Sequence, residues 1–119
     1  MKINYTLKAM YICVKDMNRA IDFYENLLGF EVETNDKIYS VFNIDGFRFG
    51  LFAYNEVKQP KKWGNSCLPS LEVDDLDNLK LKLEQLKRPI VFPETIIGKY
   101  RVLEFTDSEG NDIEATCLV

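Results

Sequence analysis

Residues 16–30 of the chain read D-M-N-R-A-I-D-F-Y-E-N-L-L-G-F, and this stretch decides the fold. Its apolar side chains recur every three or four residues, which is the spacing of an amphipathic helix. Asp16 is a residue type that caps a helix N-terminus, and Gly29 is the type that ends a helix in the left-handed conformation. The preceding residues 10–14, M-Y-I-C-V, predict a strand. The stretch therefore predicts a strand followed by a helix.

The same pattern returns between residues 67 and 87. Seven pairs of positions align between the two stretches: Val14/Val73, Asp16/Asp75, Met17/Leu76, Ala20/Leu79, Tyr24/Leu83, Glu25/Glu84 and Leu27/Leu86. An internal repeat of this kind indicates two copies of one structural unit, each of which covers apolar surface of the other. The chain is thus predicted to fold by pairing two related modules.

Three further strands are predicted after each helix. With the strand that precedes the helix, the four strands of the first copy are expected at 8–15, 30–35, 38–44 and 47–54. Those of the second copy are expected at 67–73, 90–94, 100–106 and 112–118. Asp45-Gly46 is a strong hairpin signal, and the polar residues 55–65 predict a linker. We therefore predict one α+β domain over residues 1–119, in which βαβββ module one covers about 8–54 and module two about 66–118.

Composition excludes several classes of function. The 119-residue chain has a net charge of −4 and a pI near 4.9, which argues against nucleic-acid binding, because such proteins carry basic surfaces. It has no long apolar run and no signal-peptide pattern, so we expect a cytoplasmic protein without a membrane partner. Cys13, Cys67 and Cys117 fall in predicted strands and are expected to be reduced core residues. The absence of histidine removes the commonest general base and metal ligand.

Two motifs resemble the vicinal oxygen chelate superfamily, which includes glyoxalase I, extradiol dioxygenases and the fosfomycin and bleomycin resistance proteins. Residues 16–29 are similar to the family pattern D-x-x-x-(S/A)-x-x-F-Y-x-x-x-L-G. Residues 107–115, D-S-E-G-N-D-I-E-A, are similar to the family pattern D-P-D-G-N-x-I-E-L. The resemblance covers essentially the whole chain and implies that the two modules form an incomplete, barrel-like cup. It indicates the fold and leaves the chemistry open.

In the metal enzymes of this family, four ligands converge inside the cup. The resemblance carries those positions to Ala9, Gly50, Leu68 and Glu114. Only Glu114 bears a ligand atom, whereas a transition metal ion needs three or four. We therefore expect no metal and no other cofactor, and we favour a binding protein over an enzyme. Glu72 and Asp112 leave a weak oxygen-ligand site for Ca²⁺ or Mg²⁺ open.

Alternation along the strands selects the side chains that face the cup. The candidate ligand-binding residues are Tyr11, Arg48, Phe52, Tyr54, Trp63, Glu72 and Glu114. The aromatic residues form either a wall for a ligand or part of the core, and Trp63 either stacks on a ligand or seals a junction or dimer contact. Glu114 either binds an amine or transfers protons, or it is a remnant that is solvated or paired with Arg48 or Arg101. Arg48 fits a salt bridge as well as an anion site.

These observations predict a metal-independent small-molecule-binding protein of the glyoxalase/bleomycin resistance type, which sequesters a planar or cationic compound. The resemblance implies a homodimer, and so do the sheet edges that a monomer leaves exposed. Two alternatives stay open. One is a divergent metal-dependent lyase, isomerase or dioxygenase of the same superfamily, and the other is a protein-interaction module without a small ligand.

Overall fold

The computed structural model describes residues 2, 4, 9–53, 56 and 67–119 of the chain. Within these residues the elements, in chain order, are β1 (Ala9–Val14), α1 (Met17–Leu28), β2 (Tyr39–Ile44), β3 (Phe47–Ala53), β4 (Ser70–Glu72), α2 (Leu76–Gln85), β5 (Ile90–Ile97), β6 (Tyr100–Thr106) and β7 (Asp112–Leu118). None of the helices found there is long and apolar enough to cross a membrane.

The strands form two sheets with related topology. The first sheet has the order β1-β3-β2 and the second has the order β4-β7-β6-β5. In each sheet the first strand of the module pairs in parallel with the last, as Tyr11 with Gly50 and Ser70 with Glu114. Parallel pairing needs a crossover connection, which α1 and α2 supply. The predicted α+β fold is confirmed: its two sheets and two helices are consistent with paired βαβββ modules, and the sheets do not close into a barrel.

Both helices begin and end near the predicted residues. The carboxylate of Asp16 accepts a hydrogen bond from the Arg19 N–H at 3.1 Å, and Gly29 ends α1 with a φ of 84°. Asp75 caps α2 in the same way, through the Asn78 N–H at 2.9 Å. Leu86 follows α2 in the right-handed region, and Lys87 after it takes the left-handed conformation, with a φ of 57°, that Gly29 takes directly after α1.

The apolar core lies between the helices and one face of each sheet. Helix α1 packs on β3, and α2 packs on β7. Alternate strand residues supply the sheet side of this core, among them Ile12, Val14, Leu51, Leu103, Phe105, Ile113 and Ala115, all of which are buried. The opposite face of each sheet carries the polar and aromatic side chains of the same strands. This alternation leaves the face away from the helices available for a ligand.

The predicted strand at 30–35 is wrong, because only one isolated bridge forms there, between Thr34 and Val41. The N–H groups of Glu33 and Thr34 both donate to the Val41 carbonyl, at 2.9 and 3.1 Å. Since two consecutive donors share one acceptor, the regular alternation of a strand ladder does not propagate. At the start of the second module, β4 is shorter than predicted. Cys67 lies outside this strand and is exposed, so its predicted place in the core is also wrong.

The second sequence motif joins the last hairpin to α1. Asp107 is fully buried, and its Oδ2 accepts a hydrogen bond from the Tyr24 hydroxyl at 2.7 Å. Its Oδ1 accepts from the N–H groups of Glu109 and Asn111, each at 2.8 Å. The Asn111 amide in turn donates to the Cys13 carbonyl at 3.0 Å. These contacts attach the second module to the helix and first strand of the first module.

Glu109 completes this attachment at the N-terminus of α1. Its fully buried carboxylate accepts five hydrogen bonds, from Lys15 N, Asp16 N, Arg19 Nε, Arg19 Nη2 and Ser108 Oγ, at 2.7 to 2.9 Å. Burial by itself raises the pKa of Glu109, but the hydrogen bonds from Arg19, Ser108 and the backbone together lower the pKa below its ordinary value of 4.5. The charged form is therefore the one that the fold stabilises.

We predict that Glu109→Gln lowers the free energy of unfolding at neutral pH by roughly 2 kcal/mol, because the amide cannot accept every one of these bonds. The pKa of Glu109 is lower in the folded than in the unfolded state, so its stabilisation is complete above pH 4.5 and is lost as the pH falls through the folded value. Urea unfolding at about pH 7 and about pH 3.5 measures this loss.

The control for this experiment is Asp22→Asn, which removes an exposed carboxylate from the same helix. The control variant should lose as much stability on acidification as the unmodified protein does. Glu109→Gln should lose distinctly less. Equal acid sensitivity of all three proteins contradicts the assignment of Glu109 as the acid-sensitive link.

Candidate functional site

The second sheet carries a cavity of about 450 Å³ on the face away from the helices. The cavity is lined by Ser70, Glu72, Ile97, Tyr100, Val102, Glu114 and Thr116. These residues come from all four strands, and register explains their convergence. Ser70 lies beside Glu114, while Glu72 and Val102 both lie beside Thr116. The cavity therefore combines two carboxylates and three hydroxyl groups with two aliphatic side chains.

Glu114 is held by a hydroxyl group. Its Oε1 accepts a hydrogen bond from Ser70 Oγ at 2.6 Å. The suggested pairing of Glu114 with Arg101 is wrong, because Arg101 binds Asp77 at 2.7 Å and Glu94 at 3.0 Å. The hydrogen bonds that Glu94 accepts from Arg101 and Lys80 lower the pKa of Glu94 to about 2. In the part of the chain that the structure describes, no cationic side chain forms an ion pair with Glu114.

The face that holds the cavity is strongly acidic. Glu104 lies directly across from Glu114 in the β6–β7 register, and Asp112 precedes Glu114 by two residues on the same face. Among residues 9–53 and 67–119, neither of these carboxylates nor that of Glu72 takes part in an ion pair. Like charges at directly opposed strand positions repel each other. An approaching cation relieves that repulsion, so this face favours positively charged partners.

The first sheet carries an aromatic cluster on its face away from the helices. The Tyr11 ring stacks on Phe52 with centroids 5.4 Å apart, and it meets Tyr39 edge-on at 6.1 Å. Tyr11 is 54% exposed. A Cβ atom placed on Gly50 meets Tyr39 Oη at 2.6 Å, so the Tyr39 ring lies directly over the glycine backbone. The cluster thus surrounds a position that has no side chain of its own.

The predicted site residues fall into two groups. Tyr11, Arg48 and Phe52 lie together on the first sheet, whereas Glu72 and Glu114 lie in the cavity of the second. The other two candidates, Tyr54 and Trp63, lie outside the described residues. The candidates selected from the sequence did not include Tyr39, Ser70, Ile97, Tyr100, Val102 and Thr116. Alternation along each strand, combined with the hairpin registers, was the signal that places them on these faces.

The residues present do not fit the metal site of the metal enzymes in the resembled family. The Tyr39 ring fills the space in which a ligand side chain at position 50 would stand, and Leu68 precedes β4 and is exposed. Ala9 and Leu68 supply no donor atom. Within the described residues, no group of three cysteine, aspartate or glutamate side chains is arranged to hold a metal ion. A site built from Glu114 alone lacks the ligands that a divalent transition metal requires.

A family model matches residues 2–115 of the chain, and its description is the Glyoxalase/Bleomycin resistance protein/Dioxygenase superfamily. No curated protein matches the chain. Solved structures with a similar fold include a lactoylglutathione lyase from Agrobacterium tumefaciens, with 18% identity, a TM-score of 0.78 and coverage of 97% of this chain and 95% of the other.

Two further structures show the same similarity. A glyoxalase/dioxygenase from Nostoc punctiforme is 20% identical, with a TM-score of 0.74 and coverage of 99% of each chain. A glyoxalase/bleomycin resistance protein/dioxygenase from Nocardioides is 14% identical, with a TM-score of 0.77 and coverage of 100% of this chain and 87% of the other. At these identities the similarity shows a common fold.

We predict that Gly50→Ala displaces the Tyr39 ring and lowers the free energy of unfolding by about 1–2 kcal/mol, because the new methyl group overlaps the ring. In a Tyr39→Ala background the same change should cost about 1 kcal/mol less, since the ring is no longer there. A double-mutant cycle by urea unfolding measures this coupling. An identical cost in both backgrounds contradicts the close contact.

Proposed function

The chain belongs to the Glyoxalase/Bleomycin resistance protein/Dioxygenase superfamily, and we propose that it binds a small organic cation in the cavity of the second sheet without a metal ion. One observation carries this proposal. The cavity contains Glu72 and Glu114, and no cationic side chain of the described residues neutralises them. Carboxylates that no cationic side chain of the described residues neutralises, in a cavity that also has apolar walls, suit an organic cation.

The contacts of Glu114 support a specific role for it. Ser70 donates to Oε1 and thereby fixes the orientation of the carboxylate. No donor among the described residues contacts Oε2, which is therefore the acceptor that we assign to an ammonium or amidinium group of the ligand. A hydrogen bond to a charged group is stronger than one between neutral groups. Glu114 is thus the proposed charge partner, and Ser70 is its positioning residue.

The remaining walls of the cavity favour an organic cation over an inorganic one. Ile97 and Val102 present aliphatic surface, and Tyr100 presents an aromatic ring. An organic cation gains from burying its carbon skeleton against these groups, at roughly 25 cal/mol for each Å² of apolar surface removed from water. A bare metal ion gains nothing from them. Binding by charge and apolar contact, without a reaction step, is the function proposed for this cavity.

The test uses 2-naphthylmethylammonium as a planar cationic probe, together with Zn²⁺, Ni²⁺, Mn²⁺ and Mg²⁺ salts. The organic cation should raise the melting temperature, because a ligand at 100 times its dissociation constant stabilises the folded state by about 2.7 kcal/mol. Glu114→Gln should weaken its binding roughly tenfold, as expected for the loss of a charge-assisted hydrogen bond.

The matched control is Asp112→Asn, which removes the same charge from the same strand and face but from a residue that does not line the cavity. It should leave binding of the probe nearly unchanged. A melting shift with a metal salt alone, or stoichiometric metal in protein purified without chelators, overturns the metal-independent proposal. It favours the enzyme alternative instead.

We further propose that the protein is a cytoplasmic homodimer that pairs through β5. This strand forms an edge of the second sheet, and its Ile96 is 65% exposed beside the cavity residue Ile97. An exposed apolar edge strand is a ready surface for pairing with another chain. The three cysteines are free thiols, which supports a reducing compartment.

Sedimentation velocity tests this assembly. The unmodified protein should sediment as a dimer, and Ile96→Lys should shift it to a monomer, because a charge on an edge strand opposes pairing. Leu81→Lys is the matched control, since Leu81 is 59% exposed on α2, away from the edge. A monomeric unmodified protein, or a dimer insensitive to Ile96→Lys, contradicts the proposed interface.

A further inference from the structure

Three aromatic rings on the first sheet form a corner with a floor and a wall. Three atoms at the far end of Tyr39, namely Oη, Cε2 and Cζ, all lie 2.6 to 2.8 Å from a Cβ placed on Gly50, so the hydroxyl end of this ring covers Gly50 and forms the floor. The Tyr11 ring stands at 87° to it as a wall. Phe52 stacks behind Tyr11 with an interplanar angle of 30°.

The wall offers one face to a ligand. Tyr11 packs one side of its ring on Phe52, yet it is 54% exposed, so the other side is accessible. Aromatic rings associate by offset stacking or by edge-to-face contact. A planar ring in this corner stacks on one tyrosine and meets the other edge-on. The geometry therefore favours a flat ring over a bulky aliphatic group.

Arg48 gives the corner a positive charge. It precedes Gly50 by two residues on β3 and shares its face, which places it about 7 Å along the strand. Its neighbours across the ladder are Ala9 on β1 and Asn43 on β2, and neither of them is acidic.

Arg48 differs in this respect from the other three arginines of the chain. Arg19 binds Glu109, Arg88 donates to the Asp107 carbonyl at 2.7 Å, and Arg101 binds Asp77 and Glu94. No carboxylate in residues 9–53 and 67–119 pairs with Arg48. An exposed guanidinium prefers a planar carboxylate, which it binds through two parallel hydrogen bonds.

We propose that this corner is a second binding site, which takes a planar aromatic ring bearing a carboxylate. Tyr39 and Tyr11 hold the ring, and Arg48 binds the carboxylate. The two sheets then differ in charge preference, because the cavity of the second sheet carries Glu72 and Glu114. The site is independent of the cation site proposed above.

The test compares three probes by heteronuclear NMR titration. The first probe, 2-naphthoate, has the ring and the negative charge. The second, 2-naphthylmethylammonium, has the ring and the opposite charge, and the third, cyclohexanecarboxylate, has the charge without a planar ring. 2-Naphthoate should shift the resonances of Tyr11, Tyr39 and Arg48 in a saturable manner. Its dissociation constant measured at these residues should be at least tenfold lower than that of either other probe measured at the same residues.

Variants then separate the contributions of charge and ring. Arg48→Gln should weaken 2-naphthoate binding roughly tenfold. Gly50→Ala should also weaken it, because the added methyl group lifts Tyr39 from the floor of the corner. If Gly50→Ala does not fold, Tyr39→Leu replaces it. Lys37→Gln and Phe30→Leu are the controls for an exposed cation and an exposed aromatic ring in the same half of the chain.

Several outcomes overturn the proposal. Equal binding of cyclohexanecarboxylate excludes a role for the rings, and equal binding of 2-naphthylmethylammonium at the corner excludes a role for Arg48. If Glu114→Gln weakens the binding of 2-naphthoate and Arg48→Gln does not, the anion binds in the cavity of the second sheet and not at the corner. Dissociation of a dimer by Arg48→Gln, without an effect of 2-naphthoate, assigns the corner to contact with a second copy. Failure of the cation test at Glu114 leaves these criteria unaffected.

Discussion

The buried carboxylate of Glu109 is the contact on which the arrangement of the two modules depends. It accepts hydrogen bonds from the N–H groups of Lys15 and Asp16, immediately before α1, and from the Arg19 side chain, so it holds the backbone where the helix begins. Its neighbour Asp107 accepts a hydrogen bond from the hydroxyl group of Tyr24, which lies further along the same helix. A single hairpin turn of the second module therefore fixes both the position and the rotation of the first helix.

This use of the two motifs explains why they identify the fold and carry no chemistry. The helix motif supplies the cap and Tyr24, and the hairpin motif supplies the acceptors Asp107 and Glu109. Both sets of polar groups form hydrogen bonds within the protein. Function is thereby left to the sheet faces away from the helices, where the modules have diverged. Gly50, covered by Tyr39, and Glu114, bound by Ser70, are the matching positions of the repeat.

Local patterns were sufficient for most of the fold. The caps at Asp16 and Asp75 and the apolar periodicity predicted both helices, and alternation predicted β6 and β7 at their observed bounds. The prediction of a strand at 30–35 is wrong because a strand exists only with a partner strand. The N–H groups of Glu33 and Thr34 instead share the Val41 carbonyl. That sharing depends on how the segment approaches β2 in the folded chain, which residue type does not encode.

The candidate site was predictable in part for the same reason. Alternation alone selects Tyr11, Glu72 and Glu114, since it requires only the strand and the position of the helix. Alternation also places Ser70 on the same face as Glu72. Its hydrogen bond to Glu114 and the position of Tyr39 over Gly50 depend instead on which residues lie side by side in adjacent strands, and that register is set by the folded sheet. Protein interiors leave few voids, so a glycine at position 50 leaves space that a neighbouring side chain must fill. The Tyr39 ring fills it. A glycine at position 50 therefore has two consequences: it offers no metal ligand, and it leaves room for the aromatic floor beside Arg48.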